Sequence, residues 1–95
     1  MAAPASGAEA TGALRVSVIT PEATLFEGQA DQVVAPAHNG SLGILRGHAP
    51  LMALLGTGTL RIDSGREQKS YQVSGGFLQV VDDVVTVLSE HATAS

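Results

Sequence analysis

The chain has 95 residues, a formal net charge of −4 and no cysteine. That length fits one domain, and nine acidic against five basic residues repel phosphate backbones and anionic lipid headgroups, which argues against nucleic acid as a partner. Without thiols there is no disulfide framework, zinc–thiolate site or cysteine nucleophile, a usage that suits a reducing cytoplasm.

Residues 1–13 are almost all Ala, Gly, Ser, Thr and Pro and lack the basic start and apolar stretch of a secretory signal, so they read as a disordered tail. From Leu14 onward, Val, Ile, Leu and Thr recur in short bursts punctuated by Gly, Pro, Asn and Asp, the pattern of strands and tight turns. Leu14, Val16 and Val18 alternate with Arg15 and Ser17, which predicts a strand with one buried face, and Thr20-Pro21-Glu22 breaks it. Further bursts follow at 23–27, 32–35, 41–45, 51–55, 57–62, 69–73, 77–81 and 84–88. The run Leu51 to Leu55 is the best helical candidate, yet it is too short for a helix and far short of the ~20 residues that cross a bilayer. Asp82-Asp83 reads as a two-residue hairpin turn joining the last two bursts. On the final burst Val84 and Leu88 point one way and Val85 and Val87 the other, so both faces want cover, one from the core and one from a partner or a loop. Many closely spaced strands predict an all-β fold, a small β-sandwich of about nine to ten strands, occupying residues 14–92, with 93–95 as its C-terminal end.

Motifs for catalysis are missing. The three histidines, His38, His48 and His91, are not in the close pairs that metal sites favour, and no metal or cofactor is expected. There is no Gly-x-Ser-x-Gly elbow and no Gly-x-x-x-x-Gly-Lys-Ser/Thr phosphate loop. Adjacent Asp82 and Asp83 sit in a wet turn and point apart, which suits turn formation rather than acid–base work. One Tyr, two Phe and no Trp give no platform for stacking bases or sugars. The chain therefore reads as a binding protein rather than an enzyme.

The most informative stretch is Ala35 to Leu51, APAHNGSLGILRGHAPL, where glycines and prolines set the path of the backbone around two histidines. Taken alone it is a loop, a strand and a second loop. Together with Val18-Ile19-Thr20-Pro21-Glu22, Phe26-Glu27-Gly28, Val33-Val34-Ala35-Pro36, Gly40-Ser41-Leu42-Gly43-Ile44-Leu45 and Gly47-His48-Ala49-Pro50-Leu51, the sequence resembles the ε subunit of bacterial F-type ATP synthases, called δ in mitochondria. The likeness continues through Gly58-Thr59-Leu60-Arg61-Ile62, Val73-Ser74-Gly75-Gly76-Phe77-Leu78 and Val85-Thr86-Val87-Leu88.

That resemblance implies the N-terminal β-sandwich at the foot of a rotary central stalk, a non-catalytic part that clamps the γ subunit to the c-ring and so couples rotation to ATP synthesis. It implies that His38, Asn39, Gly40 and Ser41 face the polar loops of the c-ring and that Gly47, His48 and Pro50 lie near γ. It places the chain on the cytoplasmic face of the bacterial inner membrane as a peripheral part of the F1 sector, held there by other proteins and not inserted. Many relatives carry an acid where this sequence has Ser41, a position where a hydroxyl can hydrogen-bond but brings no charge. Most bacterial members also continue into two helices that inhibit ATP hydrolysis and in some cases bind ATP. The sequence carries no counterpart of these, so neither that inhibition nor nucleotide binding is expected of it. The alternatives are a free-standing β-sandwich that binds a ligand or an unrelated protein, and a small enzyme with His38 or His48 as general base.

Overall fold

The structure, a computed structural model, describes residues 14–95. The tail expected at 1–13 lies outside the described residues. Within them are eight strands and no helix: β1 (Leu14–Ile19), β2 (Thr24–Ala30), β3 (Gln32–Ala37), β4 (Gly40–Leu45), β5 (Leu51–Leu54), β6 (Thr57–Ser64), β7 (Glu67–Val81) and β8 (Val84–Ala94). The run 51–55, which offered the best helical window, is strand β5 followed by a single bridge from Leu55 to Ala37. The turn at Asp82-Asp83 is the expected two-residue hairpin: both residues take positive φ, 50° and 64°, and Val81 pairs with Val84 across it, the geometry whose twist matches paired strands.

Hydrogen-bonded pairing runs β2-β1-β8-β7-β6-β3-β4, with β5 added on β7. This ladder folds over into two layers because β7 changes neighbours along its length. Residues Glu67 to Ser74 pair with β6, while Phe77 to Val80 pair with β5. β8 follows it: Val84 to Leu88 run parallel to β1, and His91 to Ala94 pair with the first half of β7. The first layer is thus β2, β1, the start of β8, the end of β7, and β5. The second is the end of β8, the start of β7, β6, β3 and β4. The sequence predicts separate strands at 69–73 and 77–81, but these are halves of one 15-residue strand, so continuous strands number eight while each layer holds five segments.

The junction is Gly75-Gly76. Before it the buried residues of β7 are Tyr71 and Val73; after it they are Leu78 and Val80. An unbroken strand would keep its buried residues at every second position, so the glycine pair resets the phase by one residue and lets the same strand serve both inner faces. Gly76 has φ 105°, and a Cβ built on it would lie 1.9 Å from the carbonyl oxygen of Leu88. The two strands approach there more closely than any side chain permits.

Between the layers lie Leu14, Val16, Val18, Val85, Val87, Leu78 and Val80 from the first, and Val33, Ala35, Ile44, Leu60, Ile62, Tyr71 and Val73 from the second, all buried. The open edges are stitched. On one side Ser64 Oγ donates to Gln29 O (2.9 Å), Asp31 N donates to Asp63 O (2.8 Å) and Tyr71 Oη donates to Leu25 O (3.4 Å), tying β2 to β6 and β7. On the other, His38 N donates to Leu54 O (2.9 Å) and Gly56 N to Pro36 O (2.7 Å).

This packing makes two substitutions diagnostic. Both glycines take positive φ, but Gly76→Ala also drives a methyl into the Leu88 backbone and should cost about 3 kcal/mol or more in urea unfolding, whereas Gly75→Ala, whose nearest Cβ contacts are with the flexible Glu90 side chain, should cost about 1 kcal/mol. Burial raises the pKa of Tyr71 above its ordinary value near 10.0. The folded state therefore favours the neutral phenol, and that share of stability is present below pH ~10 and lost as pH rises through the folded pKa. Unfolding curves from pH 8 upward should show the loss in the wild-type chain and not in Tyr71→Phe.

Candidate functional site

The two short segments singled out in the sequence flank β4. His38 and Asn39 form the turn between β3 and β4, closed by the pair Ala37 and Gly40, and together with Ser41 all are exposed. Beside them is a cavity of about 400 Å³ lined also by Leu42, Leu51, Met52 and Leu54, so a polar lip borders an apolar floor.

At the far end of β4 the chain turns through Leu45, Arg46, Gly47 and His48, with His48 N donating to Leu45 O (3.2 Å). Gly47 has φ 82°, the value that the third residue of a type II turn requires and that glycine alone takes without strain. His48 is half-buried, while Gly47 and Pro50 are exposed. His48 Nδ1 lies 2.8 Å from Ala49 O; a carbonyl only accepts, so Nδ1 is the donor in that contact. The structure thus brings each set together and keeps the two apart, by roughly 13 Å along the four residue steps from Ser41 to Leu45.

A third feature is larger than either. On the outer face of the first layer, cross-strand partners line up as Ile19, Leu88, Phe77 and Leu54, one apolar row across β1, β8, β7 and β5. A parallel row joins Ser17, Thr86, Gln79 and Met52, and Arg15, Val84 and Val81 form the next, toward the Asp82-Asp83 hairpin. Leu54 and Met52 are each 64% exposed, Val84 45% and Val81 39%. Ile19, Phe77 and Leu88 also line an apolar cavity of about 390 Å³ beside Pro21. The matching rows on the second layer are polar: Thr57, Ser74 and His91, then Thr59, Gln72 and Thr93. Thr57 Oγ1 lies 3.3 Å from Ser74 Oγ, and Thr59 donates to Gln72 at 3.3 Å. Leu45, 57% exposed at the β4 edge, is the exposed large apolar side chain of that second outer face; its central rows suit water, while the first layer's outer face suits contact.

Val84 and Leu88 on this face were legible as the second side of a doubly apolar strand. Ile19, Phe77 and Leu54 carry no such pattern singly, although the unbroken apolar run at 51–55 is a signal, since a strand apolar at every position is covered on both faces.

Among the described residues no three His, Asp or Glu side chains gather as a metal site would require, and no helix is long and apolar enough to cross a membrane. His38, His48 and His91 lie at separate places: a hairpin turn, a second turn and the polar outer face.

Residues 13–95 match the β-sandwich domain of the ATP synthase delta/epsilon chain. The chain belongs to that family. It is 47% identical over 78 residues to an ATP synthase epsilon chain of Leptospira borgpetersenii, covering 82% of this chain and 61% of the relative. Among solved structures, the fold is similar to a chain of the Euglena gracilis mitochondrial ATP synthase OSCP/F1/c-ring assembly, with a TM-score of 0.80, 23% identity, and coverage of 85% of this chain and 52% of the other. It is also similar to a chain of the Tetrahymena thermophila mitochondrial ATP synthase central stalk and c-ring, with a TM-score of 0.74, 20% identity, and coverage of 84% and 65%. The chain therefore spans somewhat more than half the length of such epsilon chains, the part that forms the delta/epsilon β-sandwich.

Proposed function

We propose that this domain is a non-catalytic element of the central stalk of an F-type ATP synthase, seated between the γ subunit and the c-ring so that rotation passes from one to the other. The observation that carries the reading is the unequal pair of outer faces. A sandwich needs no apolar row on the outside of one layer unless a partner covers it, and the family supplies partners on two sides. The solved assemblies containing similar chains are an OSCP/F1/c-ring complex and a central-stalk/c-ring complex, and in this reading the domain sits at a membrane without entering it.

In this reading γ covers the row of Ile19, Leu88, Phe77 and Leu54 and extends past Val84 and Val81 to the turn that holds Gly47, His48 and Pro50. Continuity supports the extension, since Gly47 is tied directly to the hairpin that follows Val81. The exposed turn from His38 to Ser41, at the opposite end of β4, meets the polar loops of the c-ring. Ser41 gives that contact a hydroxyl and no charge. The domain acts by stiffness: a two-layer β core stitched along both edges deforms little under load, so torque on one contact reaches the other.

Co-expression with the γ subunit of the same source should yield a stable complex; a chain that stays monomeric in its presence would remove the central-stalk reading in favour of a free-standing binding module. Leu54→Glu, at an exposed position, should leave the melting temperature near wild type and weaken γ binding at least about tenfold, while Thr59→Glu on the polar face should leave it unchanged. Because the chain has no cysteine, single replacements can report both ends. In the assembled enzyme Ser41→Cys should cross-link to the c-ring and His48→Cys to γ, and the reverse pattern would mean that the domain sits the other way up.

A further inference from the structure

One residue outside both candidate segments joins three parts of the domain, through its backbone and its side chain. Asp83 is the second residue of the β7–β8 turn, with φ 64°. Its carbonyl oxygen accepts from Arg15 N (2.9 Å), fixing the start of β1 beside β8. Its carboxylate Oδ1 accepts from Gly47 N (2.8 Å), a bond that spans 36 residues of sequence. Within the turn at 45–48 the amide of His48 closes on Leu45 O, which leaves the amide of Gly47 directed outward to Asp83.

We infer that Asp83 is a positioning residue, the group that holds the Gly47–His48 turn against the β7–β8 hairpin and so keeps His48 in line with the apolar outer face. Its consequence, the binding of γ, rests on the central-stalk reading; the bond itself does not. A turn at that position does not call for an acid. Asp-Gly is the better hairpin pair, because glycine takes positive φ freely and an aspartate there accepts some backbone strain. What aspartate adds over glycine is an acceptor, and the acceptor is engaged. A hydrogen bond to an ionised carboxylate is roughly twice as strong as one between neutral groups. The His48 turn has no strand partner of its own: 46–50 lie between β4 and β5 with no ladder pairing. Apart from its closing bond and the contact of the His48 ring with Ala49 O, the Asp83 bond is what fixes its direction. Met52 and Leu54 follow on β5, where pairing with Gln79 and Phe77 of β7 holds them in register.

The test uses substitutions that leave the hairpin intact. Asp83→Gly keeps the positive φ and improves the turn while removing the acceptor; Asp83→Asn keeps a carbonyl oxygen in place. Amide exchange by NMR on the free domain should show Gly47 protected in the wild type, exchanging several-fold faster in Asp83→Gly, and close to wild type in Asp83→Asn. Affinity for the γ subunit should fall roughly fivefold in Asp83→Gly, with Asp83→Asn restoring most of it and both variants melting at or above the wild-type temperature. Unchanged Gly47 exchange in Asp83→Gly overturns the tie. Wild-type affinity in Asp83→Gly, or an Asp83→Asn variant as weak as Asp83→Gly, overturns the positioning role. If wild-type protein fails to bind γ at all, the central-stalk reading falls, and Gly47 exchange still decides whether Asp83 holds the turn.

Discussion

The structure depends on the closeness of β7 and β8 at Gly76. Where those strands leave one layer and enter the other, the carbonyl of Leu88 occupies the space a side chain would fill, and the buried set of β7 shifts by one residue. Without that shift either Tyr71 and Val73 or Leu78 and Val80 would face solvent, since alternation along a strand is fixed. The corner is therefore what makes a two-layer core from a chain that pairs as one continuous ladder. It also sets the outer face: the phase that buries Leu78 turns the half-buried Phe77 outward, into the row that includes Ile19, Leu88 and Leu54.

From that arrangement the functional geometry follows. Two turns end opposite ends of β4, and an apolar sheet face runs from Leu54, beside the His38 turn, to Val81, beside the hairpin bonded to Gly47, so the domain can meet two partners at once without moving internally. No metal cluster appears among the described residues. The resources of the sequence go into shape and surface. Residues such as Val84 and Leu54 are costly to leave in water, at about 25 cal/mol for each Å² of apolar surface, and that cost becomes affinity when a partner covers them, after the losses of association are met.

Much of this was readable in the residues. Alternation in Leu14-Arg15-Val16-Ser17-Val18 gave β1 and its buried face, and Asp82-Asp83 gave the hairpin with its position. The sandwich and the family were legible because glycine and proline positions mark turns by chemistry rather than by composition. Other features were hidden for physical reasons. The pair Gly75-Gly76 reads as a break between two strands, because sequence shows loss of period but not that hydrogen bonding continues through it. The apolar row requires register: Ile19, Leu88, Phe77 and Leu54 are distant in sequence and meet only through three strand pairings. The role of Asp83 was masked by its suitability for a turn, a sufficient explanation until the amide of Gly47 is found on its carboxylate.

The parallel pairing of β1 with β8 bears on how the chain acquires this shape during synthesis. The first described strand lies between β2 and the last one, so a nascent chain cannot complete the first layer until residues near Val84 to Leu88 have left the ribosome. Until then the β1–β2 hairpin, tied to β6 and β7 only along the β2 side, has the β1 edge open to other chains. Contacts of such long sequence separation slow folding, and the domain is most prone to aggregation while the final strand is still being made.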